Sequence, residues 1–142
     1  MEGEFVITRR HALASVPFLL DWVTAASAGQ PPTQSTLTEI FTHDLPNLTM
    51  NGWEVHVNWV DYPPGRVGAR HKHPGFTLAY VLEGAVVTKI TGQAEQTYKA
   101  GQMFYEPPGA IHEVSTNASK TDRARLLAMN FIPKGQPLTS PA

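Results

Sequence analysis

Gly65-Arg66-Val67-Gly68-Ala69-Arg70-His71-Lys72-His73-Pro74-Gly75-Phe76-Thr77 is the stretch on which the reading of the fold turns. His71 and His73 are separated by one residue, and on a β-strand residues two apart project from the same face. Both imidazoles can therefore converge on one metal ion. A third histidine, His112, follows His73 by 39 positions, and from a distant strand it could complete the site. Neutral imidazole suits zinc, copper, iron and nickel alike, so these residue types argue for a transition metal without choosing one.

Working outward, Tyr80-Val81-Leu82-Glu83-Gly84 follows the histidine pair, and later comes Gly101-Gln102-Met103-Phe104-Tyr105-Glu106-Pro107-Pro108-Gly109-Ala110-Ile111-His112. Together these segments resemble the two motifs of the cupin superfamily, G-x5-H-x-H-x3/4-E-x6-G and G-x5-P-x-G-x2-H-x3-N. The matching positions are Gly65, His71, His73, Gly84, Gly101, Pro107, Gly109 and His112, and the resemblance spans roughly Asn51 to Phe131. Two positions depart from the pattern. Thr77 stands where the family usually has its metal-binding glutamate, and Thr116 stands where it has asparagine, with Asn117 one step out of register.

The resemblance implies an all-β fold, the double-stranded β-helix or jelly-roll-like cupin barrel, with a metal in its interior on His71, His73 and His112. A threonine hydroxyl is a poor ligand for these metals, so the expected protein site is three histidines. That is similar to the three-histidine cupins, which include β-diketone-cleaving and quercetin dioxygenases. Iron(II) is then the favoured ion, with manganese, zinc, nickel or copper as alternatives. Without a carboxylate the site is one charge more positive, which favours an anionic, chelating substrate such as an enolate or a carboxylate.

The rest of the chain reads as β-structure. Trp53, Val55, Val57 and Trp59 share one face of a strand, and Glu54, His56, Asn58 and Val60 share the other. Short strands are expected at 77–82, 85–90, 96–99, 102–106, 112–116 and 125–132, punctuated by Gly84, Gly92 and Gly101. If His71 and His73 point inward, Thr77 does too. On the closing strand Leu127, Met129 and Phe131 form the more apolar face and are expected to line the pocket, together with Thr77, Tyr105 and Val114. Such a wall favours an aromatic or alkyl substrate body and excludes water.

Glu106 breaks the apolar pattern just before Pro107. Turned inward, it could act as a distant ligand or as a base with a raised pKa. Turned outward, it would form a rim salt bridge with Arg66 or Arg70, the arrangement expected here. Tyr80, Tyr105 and His56 are weaker polar candidates.

The 142 residues fit one domain, with residues 1–35 as an N-terminal segment and linker and residues 36–142 as the barrel. A formal charge of -1 offers no electrostatic reason to expect nucleic acid, and the absence of cysteine excludes disulfides and thiolate sites. Thr8-Arg9-Arg10-His11-Ala12-Leu13, the apolar residues after it and Ala26-Ser27-Ala28 resemble a twin-arginine export signal; Asp21, Glu2 and Glu4 speak instead for an amphipathic helix from about His11 to Ala26. The chain is accordingly expected to be either exported or cytoplasmic, with no stable membrane span. The expected partners are a small-molecule substrate and a second copy in a homodimer. Three function classes stay open: a metal-dependent dioxygenase, which is favoured, a non-redox lyase, isomerase or decarboxylase, and a ligand-binding cupin without turnover.

Overall fold

The computed structural model describes residues 35–142. The twin-arginine-like motif, the alternative helix and nearly all of the linker lie outside the described residues. Among the described residues nine strands follow in chain order: β1 (Trp53–Tyr62), β2 (His71–Lys72), β3 (Phe76–Glu83), β4 (Ala85–Ile90), β5 (Gln96–Lys99), β6 (Met103–Glu106), β7 (Ile111–Asn117), β8 (Ala124–Pro133) and β9 (Ser140–Pro141). Among the described residues there is no helix, and so none long and apolar enough to cross a membrane.

The strands form two antiparallel sheets, one ordered β1-β8-β3-β6 and the other β5-β4-β7-β2-β9. β8 shows how the pattern works. From Ala124 onward every second residue is buried, so Ala124, Leu126, Ala128, Asn130 and Ile132 turn inward while Leu127, Met129 and Phe131 turn out. The inner faces meet in a core of Tyr62, Ala79, Val81, Val86, Phe104, Ala124 and Leu126. Burying these apolar groups is the main driving term for closing the two sheets on each other.

β1 reverses the usual assignment of faces. Its apolar side, Val55, Val57 and Trp59, is 51%, 57% and 64% exposed, whereas the side carrying Glu54, His56, Asn58 and Val60 is only partly exposed. The outer face of this sheet is aromatic as well. Phe131 stacks on Phe76 at 4.7 Å, and Phe76 also meets Trp53 and Tyr105.

Two local devices set the register. Gly84, between β3 and β4, has φ of 70° and lies against the backbone of Arg123 and Ala124, a place where a Cβ would both strain the turn and collide. On β7, Lys89 pairs with Val114 but Ile90 pairs with His112, so Glu113 is an extra residue in a β-bulge. The bulge shifts the facing of the residues after it by one, so that Asn117 turns inward in place of Thr116. It is Asn117, not Thr116, that is buried. Its Nδ2 donates to the carbonyls of Tyr62, Pro63 and Asp122 at 2.9, 3.0 and 2.8 Å, and its Oδ1 accepts from the amide of Ser119 at 2.9 Å. One side chain therefore ties the end of β1 to the loop before β8. Removing it leaves several backbone carbonyls without their donor, so Asn117→Ala should cost about 2–4 kcal/mol. Thr116→Ala, which leaves these bonds intact, should cost less than about 1 kcal/mol, and a pair of urea melts would read both.

Candidate metal centre and its cavity

His71 lies on β2 directly opposite His112 on β7, and their ring centroids are 5.1 Å apart. His73, just past β2, stands edge-on to His71 at 5.1 Å. Backbone carbonyls orient two of the rings: Nδ1 of His71 is 2.9 Å from the Ala69 oxygen, and Nδ1 of His73 is 2.7 Å from the Leu138 oxygen. A carbonyl can only accept, so the proton sits on Nδ1 in both and the Nε2 lone pair is left free for a ligand bond. The turn Pro107-Pro108-Gly109-Ala110 closes with Ala110 N on Pro107 O at 3.2 Å, and the Gly109 amide donates to the His73 carbonyl at 3.0 Å. Gly109 has φ of 69°, the left-handed conformation that a glycine after proline supplies without strain. In this way the second motif holds the backbone of the first.

Glu106 ends β6 and is 5% exposed. Its Oε2 is 3.3 Å from Nδ1 of His112 and 3.6 Å from Nε2 of His73. One ligand atom each from His71, His73 and Glu106 lie within 4.8 Å of one another. Burial pushes the Glu106 carboxyl up, but the contact with His112 and the neighbouring charges of His112, His73 and His71 more than offset this and hold it below the ordinary carboxylate value. Burial likewise lowers the His71 imidazole, outweighing the opposite effect of its bond to Ala69. Glu106 is thus disposed toward the ionised carboxylate and His71 toward the neutral imidazole, the forms that bind metals.

The fit to a cation can be tested on the polar atoms themselves. Glu106 Oε2 and His112 Nε2 are buried with no hydrogen-bond partner among the described residues; the His112 contact is too poorly aligned to count as one. Buried polar atoms are nearly always satisfied, so two such atoms on adjoining side chains of one cluster call for a missing partner. His71, His73 and Glu106, with His112 against the carboxylate, offer imidazole and carboxylate donors of the kind that suit a divalent transition metal.

These residues border a cavity of about 380 Å³, within the range of small-ligand sites. Its wall includes Val60, Ala79, Phe104, Leu126 and Ala128, with Asn58, Tyr62, Arg66, Thr77, Ser115 and Asn130 as polar members. Thr77 donates to Asn130 Oδ1 at 2.9 Å. It is also the direct cross-strand partner of Asn130 on one side and of Glu106 on the other. The carboxylate absent at position 77 is therefore supplied one strand over, from the residue facing it. This revises the expectation of a site made of histidines alone.

Several other expectations are corrected. Leu127, Met129 and Phe131 do not line the cavity, because their strand is in the opposite phase: Leu126, Ala128 and Asn130 face inward. Tyr105 is buried on the outer face of its sheet, 4.1 Å from the His43 ring and 6.0 Å from Phe76, with its phenol pushed up by burial. Val114 is displaced from the inner face by the bulge at Glu113, which turns Ser115 inward three residues after His112. The rim salt bridge is not formed either: Glu106 points to the histidines, and Arg66 lies over the Tyr62 ring at 4.3 Å. His56 pairs with Glu54 at 3.2 Å and Tyr80 lies outside the cavity lining. Sequence reasoning missed Arg66 and Asn130 as cavity residues. A lone amide in the otherwise apolar run Leu126-Leu127-Ala128-Met129-Asn130-Phe131 was the available signal for the latter.

The fold and the histidine cluster define a cupin, and comparison with known proteins agrees. The cupin domain family profile matches residues 58–130, and the chain belongs to that family. Germin-like protein 3-5 of Oryza sativa subsp. japonica is 28% identical over 115 residues, covering 75% of this chain and 49% of that protein. Germin-like protein subfamily 2 member 2 of Arabidopsis thaliana is 32% identical over 101 residues, covering 68% and 45%. The chain thus spans about half the length of the curated relatives it matches. Among solved structures, an oxalate oxidase in complex with glycolate superposes with a TM-score of 0.51 at 23% identity, covering 73% of this chain and 62% of that one. A structure of DMSP lyases superposes with a TM-score of 0.54 at 20% identity, covering 62% and 44%. These two likenesses establish the fold.

The register offers a direct test of the relocated carboxylate. Thr77→Glu places a second carboxylate opposite Glu106 in a buried site, and like charges there cannot both ionise without cost. We expect a loss of at least about 3 kcal/mol in a urea melt at neutral pH. The exchange Thr77→Glu with Glu106→Thr, which restores a single carboxylate, should recover more than half of that loss.

Proposed function

We propose that the chain is a metal-dependent enzyme that holds a divalent transition metal, iron(II) by preference, on His71, His73, His112 and Glu106, and that it is a dioxygenase for a small chelating organic substrate. The observation that carries this reading is the convergence of Glu106 with His71 and His73, one ligand atom from each lying within 4.8 Å of the others, with His112 against Glu106 and with Glu106 Oε2 and His112 Nε2 buried and unpartnered among the described residues. Two imidazoles and one carboxylate are also the donor set associated with non-haem iron oxygenases. When bound, the metal supplies Lewis acidity and a redox path to dioxygen.

The residues of the chain do the rest. Ala69 and Leu138 fix the tautomers of His71 and His73. Glu106 reduces the charge of a divalent centre by one, which leaves it cationic and still selective for an enolate or carboxylate. Phe104, Leu126 and Ala128 keep water from the reacting region while Asn58, Thr77 and Asn130 offer hydrogen bonds to polar substrate atoms.

Elemental analysis should find close to one metal per chain. His73→Ala and Glu106→Gln should each weaken metal affinity by at least about tenfold, as removal of a ligand or its close support does. The iron(II) protein should consume dioxygen with a β-dicarbonyl or flavonol-like enol in an oxygen-electrode assay. Turnover that is equal without dioxygen, or with zinc, assigns the chain instead to the lyase, isomerase or decarboxylase class, with ionised Glu106 moving a proton. Binding with no turnover assigns it to the non-catalytic cupins.

A homodimer is part of the same reading. β1 is an edge strand of its sheet and exposes Val55, Val57 and Trp59, and a second copy of β1 could pair with that edge and cover those side chains. Sedimentation should show a dimer that Trp59→Glu converts to monomer.

A further inference from the structure

Arg66 lines the same cavity as the histidines. Its guanidinium lies 4.3 Å over the Tyr62 ring, and its Nη1 donates to the Ser115 carbonyl at 3.3 Å. The Tyr62 hydroxyl is itself fixed to Ser115 Oγ at 2.7 Å, and the Arg66 carbonyl accepts from the Asn117 amide at 2.9 Å. The Tyr62 ring and the Ser115 carbonyl therefore hold the side chain in place, and the hydroxyl bond fixes the ring. Among the described residues no carboxylate lies within ion-pair distance of it. A guanidinium has five N–H donors, and one protein contact leaves most of them unspent. A planar, weakly hydrated fork held at a cavity wall is suited to a carboxylate, which it can engage through two parallel bonds.

β7 relates this group to the candidate metal centre. His112 and Ser115 both turn inward, three residues apart across the bulge, which separates their backbones by roughly 10 Å at most. Arg66 is attached at the Ser115 end. The cavity thus has a cationic residue at a distance from the histidine–carboxylate cluster that a short carbon chain can span.

We propose that Arg66 is the anchor for a second anionic group, so that the substrate class is a small organic acid with a chelating head at the metal centre and a carboxylate at its remote end. This inference rests on the metal-centre reading and narrows its substrate.

Calorimetric titration of the full-length, zinc-loaded protein tests it with two pairs of acids: malate against 2-hydroxybutyrate, and 2-hydroxyglutarate against 2-hydroxypentanoate. Within a pair the hydroxy-carboxylate head is the same and only the remote carboxylate differs. In at least one pair the diacid should bind about tenfold more tightly, the scale of a charge-assisted pair. Arg66→Gln should abolish that preference and leave the Kd of the monoacid within about twofold, while Arg66→Lys should keep part of it. Should the glutamine variant fail to fold, Arg66→Met retains the stem over Tyr62 and is expected to give the same result. Equal affinity within both pairs, or a preference that survives loss of the guanidinium, overturns the proposal. Failure of the metal centre reads out separately, as no bound zinc by elemental analysis. In that event the pairs are compared on the metal-free protein, where a diacid preference dependent on Arg66 upholds the anchor and its absence overturns it.

Discussion

A carboxyl group taken out of water must either find positive charge or hydrogen-bond donors that keep it ionised, or stay protonated. Glu106 meets this constraint by facing imidazoles on β7 and just beyond β2, and much of the barrel serves to keep them together. The antiparallel pairing of β2 with β7 brings His71 to His112, and the Pro107–Ala110 turn locks the His73 backbone to the residues just after Glu106. Without a cation the cluster retains two buried atoms that no described residue satisfies. Such unspent polar capacity at a cavity is the mark of a site shaped for something other than stability.

The row Asn130–Thr77–Glu106 across β8, β3 and β6 sets Glu106 directly beside the position where the cupin motif has its glutamate. Neighbouring positions on adjacent strands share a face and lie about 5 Å apart. A carboxylate on either strand therefore faces the same side of the sheet and the same cavity. Thr77 fixes the orientation of the Asn130 amide by donating to its oxygen. The result is a cavity with a charged cluster toward one end, amides along the wall and a guanidinium near Ser115.

Much of the architecture was legible in the chain. Alternating apolar residues and punctuating glycines located the strands from Phe76 to Pro133 to within one or two residues. The side of each strand was less legible. On β8 both faces are largely apolar, so hydrophobicity favoured Leu127, Met129 and Phe131, while the inward set contains the small Ala128 and the polar Asn130 that a ligand cavity needs. On β7 strict alternation carried Val114 inward, and the extra residue at Glu113 reversed it. Tyr105 went astray because the outer face of this sheet has an aromatic layer of its own.

The sequence by itself determined an all-β chain with three histidines at cupin spacing, because two-residue periodicity and turn chemistry are local properties that a linear reading can capture. Only the tertiary structure decided that Glu106 joins those histidines, that Asn117 takes the structural place one residue late, and that Arg66 faces the cavity. Each of these depends on the register between strands distant in the chain, and a one-residue shift in register turns a side chain to the other face.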